Sequence, residues 1–134
     1  MKEKIKVLFT HPKKLKQKTK RIKLGDLIEK ESPDMYEFIY AYGEEDSINQ
    51  VDKFRPEIIF INQVDKQIEE SLGLLKKIKH LHPPVIVFIV LANIVEDEQE
   101  TIDEYMAAGA YKCLFSTMVL ETLVHDMYVA LNLE

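Results

Sequence analysis

The sequence predicts an α/β fold: a parallel five-stranded sheet with five helices on its two faces. Three observations carry this. Residues 85–91 (VIVFIVL) and 58–61 (IIFI) are short, continuous apolar runs, the pattern of strands covered on both faces. Between them Ile68, Leu72, Leu75 and Ile78 recur at helical spacing. Strand and helix signals then alternate along the chain, as the crossover connections of a parallel sheet require.

The elements follow in order. A first strand is expected over residues 5–9, then a Thr10-His11-Pro12 loop. Pro12 suits the first turn of a helix, where its missing N–H removes no bond. That helix is expected to reach about residue 30, with Leu15, Ile22, Leu27 and Ile28 as a thin apolar stripe. Residues 35–42 read as a second strand, with Phe38, Tyr40 and Tyr42 alternating along one face. Gly43 and the acids Glu44, Glu45 and Asp46 open a second helix, where negative charge meets the positive end of the helix dipole. Arg55-Pro56-Glu57 is a loop, and the third strand, 58–61, delivers Asn62 to its carboxyl end. A third helix over 67–80 stops at His82-Pro83-Pro84. Residues 97–108 form a helix closed by Gly109. A fifth strand over 110–115 and a last helix over 117–131, striped by Leu120, Leu123, Val124, Met127 and Leu131, complete the chain.

At 134 residues, 46% hydrophobic and 31% charged, the chain fits one globular domain over 1–134. A single cysteine, Cys113, excludes an intrachain disulfide framework and a cysteine-rich metal site. No leader pattern is seen, and no apolar run approaches the ~20 residues of a membrane span. These features point to a soluble, cytoplasmic protein without membrane contact. The net charge of −5 is uneven, with +9 over residues 1–23 and −14 over the rest. Lys13, Lys14, Lys16, Lys18, Lys20, Arg21 and Lys23 form a basic stretch that could meet phosphates or an acidic partner. The acidic total and the lack of an aromatic within that stretch weigh against nucleic acid. Four glycines and the absence of phosphate-loop spacing leave no nucleotide cradle.

Three segments, RPEIIFIN (55–62), PPVIVFIVLAN (83–93) and AAGAYKCLFS (107–116), in this order and spacing, resemble the receiver domain of response regulators, the CheY-like phosphoacceptor module of two-component signalling. The resemblance implies a flavodoxin-like fold with sheet order 2-1-3-4-5. It also implies a phosphoryl site, and there the chain departs from the family. The acidic pair that holds Mg²⁺ matches Phe9-Thr10 or Thr10-His11, and the phosphoacceptor aspartate matches Asn62. The hydroxyl residue of the fourth strand matches Ile89 or Leu91, and the lysine after the fifth strand matches Ser116. Amide and hydroxyl groups bind Mg²⁺ poorly, and an amide cannot replace a carboxylate nucleophile.

The expectation is a degenerate pseudo-receiver, a non-enzymatic signal-transduction module that holds no Mg²⁺ and works by protein–protein contact without phosphorylation. The alternatives are a phosphorelay receiver using a displaced acid such as Asp65, and a module that binds through its basic helix. In the family, partner binding and dimerisation use the face of the fourth helix, fifth strand and fifth helix. Here that face would hold Tyr105, Met106, Tyr111, Lys112, Met118 and Glu121. The partner is expected to be a signalling protein, and a second copy of the chain is one form of that contact. His11 lacks carboxylate or cysteine partners at matching positions and reads as structural rather than catalytic.

Overall fold

The apolar runs become the strands of one parallel sheet. The structure, a computed structural model, describes residues 4–11, 28, 30, 34–63, 69–91, 98–115, 125–127 and 129–131. The elements are β1 (Ile5–His11), β2 (Tyr36–Tyr42), α1 (Glu44–Phe54), β3 (Ile58–Gln63), α2 (Glu69–Leu81), β4 (Ile86–Leu91), α3 (Glu98–Ala107) and β5 (Lys112–Phe115). The strands lie in the order β2-β1-β3-β4-β5, every neighbouring pair parallel. Of the five expected helices, the first and last are described only at Ile28, Lys30, 125–127 and 129–130, all helical. The fold is a three-layer α/β domain with the strand order 2-1-3-4-5 that the sequence reading expects.

Side-chain alternation sorts the core into two layers. Leu8, Ile59, Ile61, Val87, Ile89 and Leu91 point to the face covered by α1, α2 and α3, where they meet Val51, Leu74, Leu75, Ile78 and Tyr105. Val7, Phe9, Ile58, Phe60, Phe88 and Val90 point to the other face, with Leu114, Ile28 and Met127. Ile58, Ile59, Phe60 and Ile61 are all 0% exposed, as a central strand demands. Burying each such side chain contributes about 1.5–3 kcal/mol.

The second layer is aromatic. Phe9 stacks on Tyr40 with centroids 5.2 Å apart, on Phe60 at 4.9 Å, and Phe60 stacks on Phe88 at 5.1 Å. The register explains the row: Phe9 pairs with Tyr40 and Phe60, and Phe60 with Phe88. Tyr111 ends it, its ring edge-on to Phe88 at 5.3 Å.

Two strands outrun their sequence-based ends. β1 continues through Thr10 and His11, whose backbones pair with Ala41 and Tyr42. β3 continues through Asn62 and Gln63, which pair with Val90 and Leu91. Ladder bonds use only main-chain groups, so polar side chains at the ends do not stop them. β5 begins at Lys112 rather than 110, because residues 108–111 form the turn from α3.

Candidate functional site

In open α/β sheets ligands gather beyond the carboxyl ends of the strands, where β1 and β3 bring Thr10, His11 and Asn62. Thr10 pairs with Ile61, so alternation puts Thr10 and Asn62 on opposite faces of the sheet. Thr10 is 0% exposed and hydrogen-bonded to the equally buried Ser47 on α1. Ser47 Oγ donates to Gly43 O at 2.7 Å, which leaves Thr10 as the donor of the hydroxyl pair. Thr10 therefore serves the packing of α1 on the sheet. For His11 the structure describes the strand backbone, paired with Tyr42.

Asn62 is half-buried, and the residue beside it on the same face is Val90. Ile89 and Leu91, matched by the resemblance to the family's hydroxyl position, flank Val90 on the strand. Both point into the opposite layer, at 0% and 1% exposure, because the register sets Asn62 against Val90. The position beside Asn62 is apolar all the same. The acids described at this end of the sheet stand in the first turns of the helices: Glu44, Glu45 and Asp46 on α1, Glu69 and Glu70 on α2, Glu98 and Glu100 on α3. Asp46 Oδ2 accepts the Tyr42 N–H at 3.0 Å, and Glu44 pairs with Lys77 of α2. Among the described residues there is no group of three His, Cys, Asp or Glu side chains that could hold a metal ion. Ser116, Asp65 and the basic stretch Lys13, Lys14, Lys16, Lys18, Lys20, Arg21 and Lys23 lie outside the described residues.

The second candidate surface lies along α3 and β5, and here too one expectation is corrected. Tyr105 is 0% exposed and packs against α2 in the aliphatic layer, so it cannot offer its ring to a partner. Burial pushes its phenol up to about 12, although a hydrogen bond with Ser71 opposes the shift. Met106 and Tyr111, by contrast, are 43% and 41% exposed, large apolar side chains facing out. Lys112 Nζ donates to Asp126 Oδ2 at 2.8 Å, tying β5 to the last helical residues. Met118 and Glu121 lie outside the described residues. Cys113, half-buried on β5, has its thiol pushed up to about 11 by burial and is a poor nucleophile at neutral pH.

Sequence reading missed two elements of this geometry. The Thr10–Ser47 pair joins residues far apart in the chain, and no local pattern announces it. The burial of Tyr105 did have a signal, since Thr101 and Tyr105, both buried, share one face of α3 at i,i+4 spacing.

Known structures confirm the fold. The receiver domain protein (CheY-like) from Methanospirillum hungatei superposes with a TM-score of 0.73 at 14% identity, covering 97% of this chain and 95% of that one. A response regulator from Thermotoga maritima gives 0.71 at 18% identity, covering 97% and 99%. NtrX from Brucella abortus, solved with ADP, gives 0.70 at 20% identity, and there the match covers 97% of this chain but 26% of the other. No protein-family model matches the chain, and no curated protein matches it. At these identities the likeness is one of fold: the chain has the architecture of response-regulator receiver domains.

Proposed function

We propose that this chain is a receiver-like signalling module that acts by protein–protein contact and has no phosphoryl-transfer step. The observation that carries this reading is the pairing at the head of the sheet. Asn62 stands at the position where a receiver-type site would need a carboxylate, with Val90 beside it and Thr10 turned into the opposite core. A hard cation seeks several anionic oxygens, and the described residues around Asn62 supply an amide and an apolar side chain. That set does not favour Mg²⁺ or a transferred phosphoryl group, which supports the reading of a module that uses no metal cofactor and catalyses no reaction. Its expected place is the cytoplasm; among the described residues no helix is long and apolar enough to cross a membrane.

The contact face of this proposal is the α3–β5 surface. Met106 and Tyr111 are the exposed anchors, Met and Tyr being favoured at interface centres. Lys112 stays at the rim, engaged with Asp126.

The test immobilises the wild-type chain and a Met106→Ser/Tyr111→Ser variant and quantifies the bound proteins of the source cell. Sedimentation of the free chain reports self-association in parallel. The proposal expects equal retention with and without a small phosphodonor and Mg²⁺, and loss of contact in the double variant. Retention that needs the phosphodonor, or that survives both substitutions, contradicts it.

A further inference from the structure

Lys79 joins two segments that lie far apart in the sequence. It stands in the last turn of α2, and its Nζ donates to Pro83 O at 2.6 Å and Val85 O at 2.8 Å. Those bonds close the loop between α2 and β4. The methylene stem of the same side chain crosses Gly109: a Cβ built on that glycine would stand 3.2 Å from Lys79 Cγ and 3.3 Å from Cε. The lysine stem thus lies where any other residue at 109 would place its side chain. Gly109 has φ +108°, a conformation glycine adopts without steric penalty.

This glycine is the pivot of the turn from α3 to β5. Its N–H bonds to Met106 O at 3.2 Å, the Ala110 N–H to Tyr105 O at 3.1 Å, and the Tyr111 N–H to Val87 O at 2.7 Å. The turn therefore sets how Met106 and Tyr111 are presented. Burial lowers the Lys79 pKa, consistent with a stem packed against the main chain. Lys77, two residues away, is an exposed lysine paired only with Glu44 among the described ion pairs and does not reach the turn.

We infer that Lys79 is a positioning residue for the Met106–Tyr111 surface: its stem braces Gly109 while its ammonium anchors the stem to the Pro83 and Val85 carbonyls. The inference rests on the contact-face reading above for its biological meaning, but it makes a claim about the free chain that is testable without a partner.

The experiment is native-state amide hydrogen exchange on the isotopically labelled full chain. Lys79→Ala, which removes both stem and ammonium, is expected to accelerate exchange at Ala110 and Tyr111 by roughly tenfold through local opening. Lys79→Met, which keeps the stem, is expected to give a smaller acceleration there. Exchange at Phe60 should hold constant in both variants. Lys77→Met, the same charge change on the same helix, should leave the turn unchanged. Unaltered protection at Ala110 and Tyr111 in Lys79→Ala would overturn the inference. So would an equal acceleration at Phe60, which would mean that the whole fold had weakened. Because the readout is partner-free, the brace can fail while the contact face stands, or the reverse.

Discussion

The carboxyl ends of β1, β3 and β4 and the outer edge at α3–β5 are built on the same sheet but present opposite surfaces. At the strand ends, Thr10 is sealed into the aliphatic layer by Ser47, and Asn62 has Val90 as its cross-strand neighbour. At the edge, the turn around Gly109 leaves Met106 and Tyr111 facing out while Tyr105, one residue before Met106, is wholly buried. The first region offers an amide, a buried hydroxyl and an apolar neighbour at the strand ends. The second region exposes two large apolar side chains, Met106 and Tyr111. A fold does not by itself carry a reaction, and exposed large apolar side chains are where a contact is best sought.

The largest expected effect concerns the strands that lead to the first region. Phe60 lies between Phe9 and Phe88 in the aromatic row, directly before the Ile61–Asn62 end of β3. Phe60→Ala should lower unfolding stability by about 3–5 kcal/mol, read as a shift in urea midpoint. A loss below about 1 kcal/mol would mean that the row is not the keel of the sheet.

A smaller effect separates the two neighbours on α3. The Tyr105 phenol titrates near 12 in the folded chain, above the ordinary value of about 10. A raised folded pKa means that its protonated form is favoured by folding. The corresponding stability is fully present below pH ~10 and is lost as pH rises through the folded value. Wild type should therefore lose urea resistance between pH ~10 and 12 more steeply than Tyr105→Phe, which cannot ionise. Tyr105→Phe also gives up the Ser71 hydrogen bond, about 1 kcal/mol at neutral pH. Identical pH profiles for the two chains would place Tyr105 nearer the surface, on the docking side of the comparison.

Much of the fold was legible in the sequence, and the failures share a cause. The runs at 58–61 and 85–91 and the helical spacing through Leu72, Leu75 and Ile78 are periodic enough to announce a parallel sheet. A run as uniform as VIVFIVL, however, carries no phase: every residue is apolar, so nothing tells which ones share a face with Asn62. The ladder supplies that phase and sets Val90, between Ile89 and Leu91, beside Asn62. Side-chain polarity marks strand ends at Phe9 and Ile61, while main-chain pairing carries on to His11 and Gln63. At the candidate site the sequence shows the residue type at the end of β3, the amide Asn62. Its geometry depends on pairings such as Thr10 with Ile61 and Thr10 with Ser47, which exist only once the chain has folded.

The most direct measurement of the central claim is the intact mass of the wild-type chain after incubation with a small phosphodonor and Mg²⁺, beside a working receiver domain. The proposal predicts an unchanged mass for this chain while the control gains one phosphoryl group. A stoichiometric adduct with the lability of an acyl phosphate would contradict it, and mapping that adduct would begin at Asp65.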